Sequence, residues 1–316
     1  MKPFRKNVAI AIDGGGIRGI IPAKALMMLE QELGKTVGEI FRLSVGTSTG
    51  AILAAGIASG LNAQSLLDLY LLLGDQIFKK LRWPQSWIWL WRGYRYSRQP
   101  LVKHFGAMLQ DKTLGDLWNA KPSSALVTTT YDLITNQTRF VKTYKPEYQD
   151  WPVIKAVIAS SAAPTYFPVI EGRFTDGGVG SYNNPCFLAA FEAVNYLKWD
   201  VKETTLISLG TGRALEHVKV GDPDRYTVID WVPQVIESRA QDATDQQIGL
   251  VKLMFPGLDF RRIQVDLKEP IGVDAASKIP DLLKYGEEMG THLLNDKWDR
   301  IKRPAINPAP KMSKAP

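Results

Sequence analysis

Along the chain, short apolar runs that end in glycine turns alternate with stretches whose apolar residues recur at helical spacing. Residues 8–12, Val-Ala-Ile-Ala-Ile, have the continuous apolar character of a strand buried on both faces, and Gly14, Gly15 and Gly16 form the turn after it. Residues 20–33 carry the 3.6-residue period of a helix. A second strand over 41–45 runs into Gly46-Thr47-Ser48-Thr49-Gly50, and a helix dense in small apolar residues starts at Ala51. Further strands are expected at 125–131, 139–143, 205–209 and 262–265, and further helices at 152–160, 185–197 and 279–294. The alternation predicts an α/β fold with a mostly parallel sheet and helices on both of its faces. With no internal repeat and no clear linker, residues 1–306 read as a single domain and 307–316 as a disordered basic tail containing prolines.

Composition narrows this little. Hydrophobic residues at 45% and charged residues at 22% exclude a largely disordered or collagen-like chain. A formal charge of +7 suits an anionic membrane surface, nucleic acid or an acidic effector, and equally a mildly basic surface with no such partner. The sole cysteine, Cys186, leaves no internal disulfide to form and reads as a small core residue. The apolar part of residues 1–13 is too short for a signal sequence and is expected to be a strand, and no apolar run reaches bilayer-spanning length. The expected compartment is the cytoplasm, with peripheral attachment at the inner membrane surface as an option.

Candidate chemistry begins at Ser48. A G-x-S-x-G between strand and helix forces the serine into a tight turn with its Oγ exposed, and Gly46 and Gly50 let that turn pack. The helix that follows directs its positive end at the serine. Upstream, Asp13-Gly14-Gly15-Gly16-Ile17-Arg18-Gly19 can converge backbone N–H groups on one point, as an oxyanion hole requires. The same glycines satisfy G-x-G-x-x-G, but the acidic residue at the expected distance, Glu39, precedes the second strand instead of ending it, so a dinucleotide site fails on position. A Walker loop fails because neither glycine turn is followed by Lys-Ser or Lys-Thr.

Ser48 needs a base. His104, in a helix after an aromatic segment, His217, in a polar stretch, and His292, in the C-terminal helix, all lack the glycine-framed strand-end setting of a catalytic base. Asp176, followed by Gly177 and Gly178, has that setting, although Asp-Gly-Gly alone is an ordinary turn. No His/Asp cluster suggests a metal, and no cofactor is called for. Residues 83–98 interleave Trp83, Trp87, Trp89 and Trp91 with arginines; the segment is expected to touch lipid, or else to line an acyl pocket or fill the core.

Together these motifs resemble the patatin-like phospholipase family, whose pattern is a D-G-G-G-x-R-G loop, a G-x-S-x-G elbow and a D-G-G or D-G-A aspartate, in that order. Residues 159–168, Asn184-Pro185 and residues 208–212 are similar to later landmarks of the family, so the resemblance spans about residues 7–212. It implies a three-layer α/β/α fold and a lipid acyl hydrolase of phospholipase A type. Ser48 is then the nucleophile, Asp176 the base with no histidine, Gly14 to Gly16 the oxyanion loop and Arg18 its support. The implied partner is a phospholipid or other acyl-ester lipid, with no nucleic acid and no metal or cofactor. A nucleotide-responsive member of the family, an acyltransferase and a thioesterase use the same machinery and stay open.

Overall fold

The computed structural model describes residues 1–78, 93–214, 241 and 243–299. Chain order within them is β1 (Asn7–Ile12), α1 (Ile20–Leu33), β2 (Leu43–Thr47), α2 (Thr49–Ala58), α3 (Ala63–Ile77), α4 (Gln99–Leu109), β3 (Ala125–Asp132), β4 (Gln137–Lys142), α5 (Val153–Ser160), β5 (Phe174–Asp176), α6 (Cys186–Phe191), β6 (Thr204–Leu209), β7 (Asp259–Ile263) and α7 (Ile279–Leu294). Residues 243–254 are also helical.

The strands form a seven-stranded sheet in the order β4-β3-β2-β1-β6-β7, with β5 paired to β3. Pairs β1/β2, β1/β6, β2/β3 and β6/β7 are parallel, whereas β4 and β5 run antiparallel to β3. The sheet is therefore mostly parallel, as expected. Alternate residues of the strands serve two different cores. Val8, Ile10 and Ile12 of β1 join a cluster with residues of α1, α2, α3, α4, α5 and α7. Ala9 and Ala11, with Leu43, Val45 and Val127, pack on the other face against α6 and the 243–254 helix through Leu188, Ala189, Ile248 and Val251. The result is the three-layer α/β/α arrangement. Both faces being covered is why β1 reads as a continuous apolar run, and α2, buried at every position, shows no polar face for the same reason.

Several boundaries move from their expected places. The second strand begins at Leu43 because residues 37–40 form a short helix whose capping box joins Thr36 to Glu39; the Glu39 carboxylate accepts the Thr36 N–H at 2.7 Å. The helix expected over 185–197 is α6 followed by a π-helical turn, Glu192–Tyr196. That wider turn sets the buried Glu192 carboxylate on Lys142 Nζ and Tyr144 OH. The strand expected at 262–265 is β7, starting at Asp259: its Arg261 and Arg262 are almost wholly buried, the first paired with Asp259, the second with Asp13. Cys186 lies in the core, and burial pushes its thiol up to about 12. No described helix is long and apolar enough to cross a membrane.

Candidate active site

The edge of β3 brings the two candidate catalytic residues together. Strand β2 pairs with β3 as far as Thr47 opposite Thr129, and β5 takes the same edge from the next residue, with Asp176 opposite Thr130. Its other edge is occupied by β4 from Val127 to Asp132. Strands β2 and β5 thus approach end to end along one neighbour, and both stop at the junction. Ser48 is the first residue past the end of β2, and Asp176 is the last of β5.

Ser48 has φ 55° and ψ −120°, outside the regions that L residues favour, and directly precedes α2. The flanking glycines are needed sterically. A Cβ at Gly46 would lie 2.2 Å from the Gly50 carbonyl oxygen, and one at Gly50 would lie 2.1 Å from that of Ile12. The Ser48 N–H donates to Ser160 Oγ at 2.9 Å, so the end of α5 holds the elbow.

Asp176 is buried, and the neighbouring Ser48 side chain favours its ionised form. Its Oδ1 also accepts the Gly178 N–H at 2.7 Å, and its backbone N–H donates to the Ala162 carbonyl at 3.1 Å. Burial outweighs the opposing effects of the Ser48 side chain and the Gly178 N–H and pushes the carboxyl up to about 6. A carboxylate so raised is a stronger base than an ordinary aspartate, yet is still ionised at neutral pH. Gly177 is fixed by close approach, since a Cβ there would meet Thr129 Oγ1.

The glycine loop leaves β1 at the same carboxyl edge of the sheet, and a Cβ built on Gly14 would come within 3.3 Å of Ser48 Cβ. The Gly14 N–H donates to the Asn183 carbonyl at 3.0 Å, which takes it out of the set of free oxyanion donors. The N–H groups of Gly15 and Gly16 donate to no atom among the described residues. Arg18 closes the loop from below, its N–H donating to the Gly15 carbonyl at 3.2 Å and its charge acting on Asp13. Asp13 is itself gripped by both terminal nitrogens of the buried Arg262, at 2.8 and 2.5 Å. Thr211 Oγ1, two residues past β6, donates to the Gly14 carbonyl at 2.8 Å. On the outer side the Val273 carbonyl accepts the Ile17 N–H at 2.8 Å, and Asp274 accepts from Tyr96 OH at 2.9 Å.

The histidines stand apart. His104 Nε2 is 3.0 Å from Gln76 Oε1, and His292 lies on α7 with Nε2 3.9 Å from Glu288. Neither hydrogen-bonds Ser48 or Asp176, and His217 lies outside the described residues. So do Trp83, Trp87, Trp89, Trp91 and the 307–316 tail. The end of the aromatic segment is described: Arg95 and Tyr96 donate backbone N–H groups to Thr165 and Tyr166 at 3.0 and 2.8 Å, and Tyr96 packs against Phe78, Tyr166 and Phe167. Among the described residues no group of three or more His, Cys, Asp or Glu could hold a metal ion.

The profile described as patatin-like phospholipase matches residues 10–190, a span that contains the glycine loop, Ser48 and Asp176. The chain belongs to the patatin-like phospholipase family. Among its relatives, the cGAMP-activated phospholipase of Vibrio cholerae is 31% identical over 230 residues, covering 64% of this chain and 63% of that protein. The intracellular phospholipase A2 of Caenorhabditis elegans is 29% identical over 221 residues, which cover 65% of this chain but only 19% of the nematode protein. Patatin-like protein 2 of Oryza sativa subsp. indica is 28% identical over 343 residues, covering 88% of this chain and 82% of the rice protein.

Four residues that support this patatin-like site have no role assigned by the motifs, although Ser160 and Thr211 lie inside the 159–168 and 208–212 stretches. Ser160 and Asn183 lie within or beside stretches that stand out in the sequence, but nothing local marks the first as the acceptor of the Ser48 N–H or the second as the partner of Gly14. Thr211, two residues past β6, and Arg262, in β7, reach the glycine loop from far along the chain. Nothing local singles out Arg262, which shares its strand with Asp259 and Arg261.

Proposed function

We propose that this patatin-like chain is a lipid acyl hydrolase of phospholipase A type, cleaving fatty-acyl esters with Ser48 as nucleophile and Asp176 as its base. The observation that carries the reading is the end-to-end meeting of β2 and β5 on β3, which sets a strained Ser48 against a buried aspartate raised to about 6. Asp176 accepts the Ser48 proton as Oγ attacks the ester carbonyl. The Gly15 and Gly16 N–H groups hold the resulting oxyanion. Asp176 then returns the proton to the departing alcohol oxygen, leaving the acyl group on Ser48. A water that loses its proton to Asp176 releases the fatty acid and restores the serine. No step calls on a histidine, metal or cofactor. The enzyme works as a cytoplasmic protein that meets its substrate at the inner membrane surface.

The test is steady-state hydrolysis of a short-chain ester and of mixed phospholipids by Ser48→Ala, Asp176→Asn and the three single histidine-to-alanine variants, with circular dichroism to establish folding. The first two should fall to background while the histidine variants keep wild-type turnover. A folded histidine variant as inactive as Ser48→Ala would replace the dyad with a triad. A second reading, the same hydrolase switched on by a cyclic nucleotide, is favoured by the name of the Vibrio relative. Adding cGAMP to the assay decides it, since a nucleotide-responsive enzyme gains turnover and a constitutive one does not.

A further inference from the structure

The hairpin joining β3 to β4 continues past the junction where Ser48 and Asp176 meet. Thr130 is level with Asp176, and three more residues at roughly 3.3 Å each carry the strand about 10 Å beyond it, to Leu133. The tip is apolar and open: Leu133 is 43% and Ile134 70% exposed, and Val169, from the loop before β5, is 42% exposed. The Leu133 N–H donates to the Arg173 carbonyl at 3.0 Å, so the tip and the 170–174 turn form one structure. Exposed apolar side chains at the end of a protruding hairpin gain nothing from the protein's own core.

The tip is held stiffly. The wholly buried Asp132 carboxylate accepts from Arg173 Nε and Nη2 at 2.9 and 2.7 Å, from Arg139 Nε at 3.4 Å and from the Ile134 N–H at 3.1 Å. One buried acid thus anchors two guanidiniums, whose side chains stay 37% and 42% exposed around the apolar tip. The neighbouring Glu171 is paired with Lys155 at 2.7 Å, so three cations face two acids and the rim is positive. Apolar residues at the apex inside a positive collar match an anionic bilayer, whose charge the arginines meet while the aliphatic side chains enter the acyl region.

We propose that the β3–β4 hairpin tip, Leu133 and Ile134 with Val169, is a docking element that seats this face on an anionic phospholipid bilayer. Its use in turnover rests on the lipid-hydrolase reading above. An interfacial element of this kind enters by about 5–10 Å, which would bring the junction of Ser48 and Asp176 down to the headgroup level.

The experiment uses the full chain with a single environment-sensitive thiol dye. Because Cys186 is buried with its thiol pushed up to about 12, a cysteine introduced by Ile134→Cys is the selective point of labelling. Emission should shift to the blue with phosphatidylcholine vesicles containing phosphatidylglycerol, and much less with phosphatidylcholine alone. A dye at Glu203→Cys, beside the opposite end of β6, should not shift. Unlabelled Leu133→Ser/Ile134→Ser should lose vesicle partitioning by about tenfold or more, with turnover of a soluble short-chain ester unchanged. A dye at position 134 that stays unshifted while the protein sediments with the vesicles would overturn the proposal, as would wild-type partitioning by the serine pair or no partitioning by the wild type. Failure of the wild type to cleave the soluble ester would sink the hydrolase reading instead, leaving the dye result to stand or fall independently.

Discussion

Replacing Asp176 with asparagine should make the protein inactive and more stable, and the size of the gain follows from its burial. In the folded chain the carboxyl is raised from 3.8 to about 6, mainly because burial penalises the charge. The folded state therefore binds this proton more tightly than the unfolded state. The associated stability is complete below pH 3.8 and is lost as the pH rises through 6. At about 1.36 kcal/mol for each pH unit, holding the ionised carboxylate at pH 8 costs about 3 kcal/mol. Asparagine keeps the shape and can still accept from Gly178, but carries no charge to desolvate. Asp176→Asn should be more stable than wild type by about 3 kcal/mol at pH 8 and by about half that at pH 5, read from urea unfolding at each pH. The corresponding rise in melting temperature for a chain of this size is about 4–5 °C at pH 8. In the wild type the same ionisation appears in catalysis: kcat/KM for a soluble ester should fall about tenfold for each pH unit below 6 and level off above it. An asparagine variant no more stable than wild type at pH 8, or one whose gain is equal at pH 5 and pH 8, would refute the assignment of the raised carboxyl to burial.

Three further outcomes are expected. Gly15→Ala puts a Cβ 2.3 Å from Thr211 Oγ1, so a folded variant should lose about a hundredfold or more in kcat while substrate binding suffers less; full turnover would remove Gly15 from the oxyanion hole. Arg262→Met strands the buried Asp13 carboxylate and should destabilise by about 3–5 kcal/mol in urea unfolding, with Asp13→Asn/Arg262→Met closer to wild type than the single change. Asp274→Ala removes the acceptor of Tyr96 OH beside the carbonyl that holds the Ile17 N–H, and should lower kcat on a short-chain ester by several-fold with little change in melting temperature, an effect that Tyr96→Phe should reproduce if the link acts through this hydrogen bond.

What the sequence disclosed is what is local to it. The glycine loop, the serine elbow and the Asp-Gly-Gly turn are short because each must bend sharply within a few residues, and their letters reflect steric limits at Gly46, Gly50 and Gly177. Strand β1 and helices α1 and α7 were legible for a similar reason, since continuous burial or one apolar face repeats along an uninterrupted element. Strand β5 is three residues long, too short for alternation to register, although it delivers Asp176. Strand β7 was misplaced because Asp259, Arg261 and Arg262 read as surface residues until their buried partners are known. Ser160, Asn183 and Thr211 matter only through partners far away in the chain, and no local pattern encodes a contact of that range.

The junction on β3 also determines how this site can fail and how it can diversify. Asp176 and the residue before Ser48 are both positioned by main-chain pairing to one strand, at adjacent rungs, so the separation of the proposed nucleophile and base is independent of the long stretches of chain that connect them. Those connections are free to lengthen, shorten or acquire new partners without retuning the chemistry. A one-residue slip of β5, in contrast, would point the aspartate to the opposite side of the sheet and extinguish activity at a stroke. Thermal loss of function should accordingly track the fraying of β3 and not the looser motions of the surrounding surface, so that amide exchange at Thr129 and Thr130 and the decay of turnover share one temperature dependence.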